Sequence, residues 1–362
     1  MSLLDRETVQ WIRNEMKQHL DQTSIPNTVL SYMIDNQLFK LIIPKSLGGK
    51  ALELPEAVQI FQEASYVDGS FGWLVTVGSG GGMFTSNFTQ EAAETYYKPK
   101  DAVIAGSGFP AGIAERTDGG YIINGEWFYC SGSDYASIFT ATCRIKNDSK
   151  LISFIFEKEQ VKVLQDWDAF GLEKTSSHTI RITNQFVPEI RAFSIFETKN
   201  EYGLPIHQFP FLPFSEASFA AITLGIGKHF IEEVVSFTEQ NKSNWQHGKP
   251  SRYEVMIEKI ETETARWKNA EQAFHDAVKN IWQDYVSGKD LSEDEQRAFG
   301  TVCKRAVTTM LTCANNLFRF IGMKAIMKHS EINQIWRDLH TASQHTFLTP
   351  IVDEDNLAYR PD

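Results

Sequence analysis

Apolar positions recur along this chain with two different periods, and the changes between them divide it into three zones. Up to about residue 95 the spacing is helical. ETVQWIRNEMKQHL sets apolar residues three and four apart, and LPEAVQIFQEASYVD does the same. Its Pro55 stands at a first-turn position, where a missing N–H costs nothing. Between them, LFKLIIPKSLGGKAL breaks at Pro44 and at Gly48-Gly49 and reads as a connector. From about 100 to 195 the period falls to two, with turn residues between runs. TDGGYIING offers an Asp-Gly-Gly turn ahead of YIINGEWFYCSG, and IFTATCRIKNDSKLISFIFE predicts a hairpin around Asn147-Asp148. HTIRITNQFVP predicts a strand closed by Pro188. Short antiparallel strands of this kind predict a small β-barrel or sandwich.

From about 213 the helical period returns in longer pieces. SFAAITLGIGKHFIEEVVSFTEQ is one helix, and YEVMIEKIETETARWKNAEQAFHDAVKNIWQDYV is a second, ending at Gly288. LSEDEQRAFGTVCKRAVTTMLTCANNLFRFIG is a third, opened by a capping box in which Ser292 precedes Glu295 by three. SEINQIWRDLHTASQHTFL is the last. Long helices with short connections predict an antiparallel bundle. The expected fold is therefore α+β and mostly α. It has an N-terminal helical domain (1–98), a middle antiparallel β-domain (99–204) and a C-terminal helical bundle (205–362).

Composition narrows the partners. A formal charge of −11, with no run of five basic residues, excludes the cationic surface that a nucleic-acid binder needs. Apolar runs fall far short of a membrane span. The cysteines Cys130, Cys143, Cys303 and Cys313 are scattered, without a C-x-x-C, and the N-terminus lacks the apolar core of a signal peptide. A cytoplasmic protein is expected.

Most familiar motifs fail. TVGSGGGMF has no following Lys-Ser/Thr, and Met83 stands where a dinucleotide loop needs its third glycine. It reads instead as a helix or turn thinned by glycines beside a ligand. His340 and His345 are five apart, roughly 140° around a helix, so no metal pair forms there, and no G-x-S-x-G elbow exists. No metal site is expected.

GEWFYCSGSDYA and DWDAFGLEKTSSHTIRI each set hydroxyl residues beside large aromatics. Ser131 and Ser133 follow Trp127 and Tyr129; Thr175, Ser176 and Ser177 follow Trp167 and Phe170. Aromatic faces rimmed by hydroxyls suit a flat heterocycle, and turn serines that cap strands give the same pattern. On the last helix, Arg337, Thr341 and His345 fall at i, i+4 and i+8 and should share a face. His345 is then either a satisfied core residue or a proton-handling group. PIHQFPFLPFSEASF, Pro205 to Phe219, is either a pocket wall or a packed linker.

Taken in order, LIIPKSLGGKALELPEAVQIFQEASYVDGSFGW, GGYIINGEWFYCSG, WDAFGLEKTSSHTIRI and IWRDLHTASQH resemble the acyl-CoA dehydrogenase superfamily over nearly the whole chain. That resemblance implies an N-terminal helical domain, a middle β-barrel domain and a C-terminal four-helix bundle. True dehydrogenases follow the Arg-Asp pair with a stretch like I-Y-E-G-T, whose Glu in most branches removes the α-proton of the thioester. Here the matching stretch is SQHTF, and the next acids, Asp353 to Asp355, lie too far on. R-D-L-H-T-A-S-Q-H instead looks like the two-component flavin-dependent monooxygenases, among them the hydroxyphenylacetate hydroxylase oxygenase components and desulfurisation monooxygenases.

By this resemblance a flavin reductase supplies reduced FMN or FAD, which forms a C4a-hydroperoxide with dioxygen and oxygenates a small organic substrate, aromatic compounds being one candidate class. Ser131 would sit near flavin N5 and O4, Trp127 would frame the ring, and Thr175 and Ser176 would contact it. His345 would point toward C4a. Arg337 would pair with a neighbour or face flavin phosphate from an adjacent subunit of a homotetramer. The rivals are an acyl-CoA dehydrogenase or oxidase with a displaced base, and a flavin-binding homologue without chemistry.

Overall fold

A computed structural model describes residues 4–349, apart from 20, 21, 201 and 203. The acids Asp353 to Asp355 lie outside the described residues. Five helices come first: α1 (Arg6–Gln18), α2 (Asn27–Asp35), α3 (Leu54–Val67), α4 (Gly69–Gly80) and α5 (Gln90–Tyr97). Helix α3 opens with Pro55 in its first turn and a Glu53/Glu56 capping box. Asp68 ends α3 and caps α4, its carboxylate accepting from Phe71 N at 3.0 Å.

Seven strands follow: β1 (Ile104–Thr117), β2 (Gly120–Cys130), β3 (Ile138–Ile145), β4 (Leu151–Glu157), β5 (Lys162–Leu164), β6 (His178–Pro188) and β7 (Ala192–Phe193). They form one sheet in the order β5-β6-β2-β1-β3-β4-β7. The expected hairpin is present, β3 pairing antiparallel with β4 around Asn147 at φ +63°. The expectation of a wholly antiparallel sheet is corrected, because β1 runs parallel to β3, with Ile104 opposite Ile138. Strand β1 was hidden in the sequence by Gly106, Gly108, Pro110 and Gly112, and its register shifts between Ser107 and Gly112. Parallel neighbours need a crossover, and β2 with its return supplies it.

The remaining helices are α6 (Phe211–Gln240), α7 (Lys242–Trp245), α8 (Arg252–Val286), α9 (Glu293–Ile321) and α10 (Glu331–Ala342). The Ser292/Glu295 box caps α9 as its spacing predicts. Helix α6 begins earlier than the periodicity indicates, so Phe211 to Phe219 is its first turns, preceded by a short 3-10 helix, Pro205–Gln208.

Apolar burial joins the two helical ends. Phe61 and Phe71 share one core with Phe230, Trp267 and Phe274, where α3 lies along α6 and α8 along α9. The sheet has its own core around Trp127, Phe139, Phe154 and Phe156. The sheet meets the helical core where β1 packs on α4 and where the loop before β6 reaches α10, Leu172 N donating to Asp338. Among the described residues no helix is long and apolar enough to cross a membrane.

Candidate active site

A cleft of about 2350 Å³ opens along that junction. Single small-molecule sites run to ~300–1,000 Å³, so the space accommodates a cofactor with a substrate. One wall is the end of β2 and the segment before β6; the opposite wall is α4, the start of α6 and the turn after α10.

His345 is in this cleft, by a route the helical spacing missed. Helix α10 ends at Ala342, and Ser343 donates to His340 O at 2.8 Å as the chain turns. His345 thus lies beyond the helix, with extended backbone, capping the 3-10 helix Thr346–Leu348. The i, i+4, i+8 face is corrected accordingly: Thr341 and His345 line the cleft, while Arg337 does not. The imidazole stacks on Phe219, centroids 3.6 Å apart and planes at 17°, with Trp73 at 5.9 Å. Its Nδ1 accepts from Phe347 N at 3.4 Å, leaving the ring proton on Nε2. Burial among aromatics pushes the imidazole down to about 4, so it is neutral near pH 7. His340 turns the other way and meets Asn315 Oδ1 at 3.0 Å.

Across from His345 stands a wall of hydroxyls. Ser131 follows β2 and accepts from Trp73 Nε1 at 2.9 Å. Its Oγ is 2.7 Å from Ser177 Oγ, which is 2.7 Å from Thr175 Oγ1. Thr175 Oγ1 donates to Leu172 O at 2.8 Å. Ser176 is a correction. At φ +45° its side chain leaves the cleft and donates to Asp134 at 2.7 Å, so Ser177 takes the place expected for it. Trp127 reaches the cleft but is fully buried in the sheet core, with Nε1 donating to Thr142 O at 2.8 Å. It is floor rather than frame.

The hydroxyl segment is fixed from behind. Leu172 N donates to Asp338 Oδ1 at 2.6 Å, and Arg337 bonds to Asn333 Oδ1, Phe170 O and Glu173. A Cβ on Gly171 would lie 2.3 Å from Arg337 O, so only glycine lets this loop reach α10. Arg337 is thus a tether, its neighbour-pairing role, and not a cleft residue. Burial, with the charge of nearby Asp68, pushes the Asp338 carboxyl up to about 8.

Ser177 and Phe219 fall within stretches the sequence singles out for a site, but Trp73 carries no such signal. An aromatic in a glycine-rich helix looks like core, and proximity across 58 or 46 residues has no local signature. Away from the cleft, His229, Glu233 and Glu331 bring ligand atoms within 4.8 Å of one another. Lys17 Nζ, 2.7 Å from Glu331, already supplies positive charge there.

Two family models match the chain: acyl-CoA dehydrogenase, N-terminal domain, over residues 3–102, and acyl-CoA dehydrogenase, C-terminal domain, over 217–350. An indole-3-acetate monooxygenase of Pseudomonas putida is 24% identical over 332 residues, 90% of this chain and 85% of that protein. The flavin-dependent monooxygenase, oxygenase subunit HsaA, of Rhodococcus jostii (strain RHA1) is 22% identical over 94% of this chain and 92% of its own. Among solved structures, XiaF from Streptomyces sp. in complex with FADH2 and glycerol shares the fold, with a TM-score of 0.84 at 20% identity over 95% of this chain and 90% of that one.

Proposed function

We propose that this chain, which belongs to the acyl-CoA dehydrogenase superfamily, is the oxygenase component of a flavin-dependent monooxygenase acting on a small aromatic substrate. A separate reductase would deliver its reduced FMN or FAD. The observation that carries this reading is His345: a neutral imidazole, stacked on Phe219, where the superfamily's dehydrogenases place a carboxylate base.

The residues fit a flavin. Ser131, Ser177 and Thr175 offer polar atoms on one wall, aromatic rings cover the other, and Thr341 Oγ1 is buried on the cleft wall without a hydrogen-bond partner. Reduced flavin, when bound, supplies the electrons that activate dioxygen. The chain's part is to bind, orient and dry the site. Ser131 would meet the ring's polar edge, with Thr175 and Trp127 supporting that wall. His345 would present Nε2–H to an oxygen in the cleft, Nδ1 being held by Phe347 N. Ser176 and Arg337 do not line this chain's own cleft. The dehydrogenase rival needs a free carboxylate; the acids on the cleft wall, Glu216 and Glu293, are ion-paired with Lys304 at 3.1 Å and Arg297 at 4.0 Å. Four buried free cysteines agree with a cytoplasmic setting, and we extend the proposal to a homotetramer assembled through the C-terminal bundle.

The test mixes the protein with photoreduced FMN or FAD, then with 18O2 and a flat aromatic such as indole or a phenol. One 18O atom in the product is expected. Bleaching of bound oxidised flavin by an acyl-CoA, with no oxygenated product, would overturn the assignment.

A further inference from the structure

We propose that Ser177, backed by Thr175, is a positioning residue that makes the Ser131 hydroxyl an acceptor only toward the cleft, so that the site selects a ligand N–H over a ligand lone pair. This rests on the flavin reading above and deepens it.

The argument is proton counting along one chain of contacts. Two oxygens 2.7–2.8 Å apart repel unless a proton lies between them. A backbone carbonyl has none to give, so the contact of Thr175 Oγ1 with Leu172 O uses the threonine's single proton. Leu172 O also accepts from Trp167 Nε1 at 3.0 Å, an acceptor role throughout. The 2.7 Å contact of Thr175 with Ser177 must then use the Ser177 proton. The 2.7 Å contact of Ser177 with Ser131 must likewise use the Ser131 proton. At the far end, the indole N–H of Trp73 can only donate, and it occupies one Ser131 lone pair at 2.9 Å. Every proton is spent, and Ser131 keeps one lone pair for whatever enters.

Flavin tells the two cases apart. Its reduced form carries an N–H at position 5, and its oxidised form carries a lone pair there. A polarised Ser131 therefore stabilises the reduced form and repels the oxidised one. Removing Ser177 frees the Ser131 proton to turn into the cleft and reverses the preference. A merely structural role for Ser177 would weaken both forms together.

The experiment measures dissociation constants of the whole protein for oxidised FMN and FAD and, anaerobically, for their reduced forms. The wild type, Ser177→Ala, Thr175→Val and the rescue variant Thr175→Ser are compared. The wild type should favour reduced flavin. In Ser177→Ala and Thr175→Val, oxidised flavin should bind more tightly and reduced flavin more weakly, the ratio falling about tenfold, the worth of one hydrogen bond. Thr175→Ser should restore it. An unchanged ratio in folded variants overturns the polarity assignment while leaving the flavin reading intact. A wild type that binds neither form overturns both. Should Thr175→Val fail to fold, Ser177→Ala alone decides.

Discussion

His345 owes its chemical state to its neighbours. Phe219 and Trp73 replace water around the imidazole, and burial holds its protonation near pH 4, against ~6.5 in an unfolded chain. The folded state thus takes up fewer protons. Stability from this group is complete above pH ~6.5 and is lost as pH falls toward 4. His345→Asn should abolish oxygenation while leaving reduced-flavin affinity within about threefold, read by fluorescence titration; unchanged turnover would remove His345 from the chemistry. Asp338 has the opposite sign. Its carboxyl is raised to about 8 by burial and by Asp68, so the folded state holds a proton that the unfolded chain has released. Stability from it is complete below pH ~4 and declines as pH rises to about 8. Asp338→Asn keeps an acceptor for Leu172 N and should flatten the thermal-unfolding midpoint between pH 5 and 8, where the wild type falls.

Between elements, the decisive contact is that of α10 with the loop leading into β6. Gly171 passes so close to Arg337 O and Thr341 that an added methyl has no room. Gly171→Ala should cost about 1–3 kcal/mol in denaturant unfolding. It should also weaken flavin binding, because Leu172 to Ser177 would shift with it; full affinity in the variant would show that the loop is not part of the site. Much at this scale was legible in the sequence because it is local. The Ser292/Glu295 box, the Asn147-Asp148 hairpin and the long periodic helices α8 and α9 each depend on residues a few positions apart. What was not legible is non-local or conformational. The parallel pairing of β1 with β3 is a choice between distant segments, masked by glycines and a proline. The end of α10 at Ala342 has no Gly or Pro to announce it, so periodicity alone extends the helix through His345, which lies beyond it. Ser176 and Ser177 exchange sides through one positive φ, which sequence does not display.

At the scale of the whole molecule, a group of large apolar residues near the end of the bundle is left exposed. Phe320 at the end of α9 and Met323, Ile326 and Met327 just beyond it are 39–74% exposed, close together in sequence on the bundle that we propose assembles four subunits. Large apolar residues grouped in water are the usual mark of an interface. Each subunit also brings a charge of −11, so assembly must overcome long-range repulsion that salt screens within ~10 Å at 0.1 M. Sedimentation should therefore show a tetramer whose dissociation weakens as salt rises. The double substitution Met323→Glu with Ile326→Glu should shift it to smaller species, because it adds charge where apolar area is buried. Flavin affinity measured on those smaller species then locates the boundary of the site. Retained affinity would mean that the cleft between the sheet, α4, α6 and α10 is complete within one chain. Lost affinity, with the fold intact by circular dichroism, would mean that a neighbouring copy closes it. A wild type that is a monomer at every salt concentration would sink the assembly proposal and leave the apolar patch to another partner.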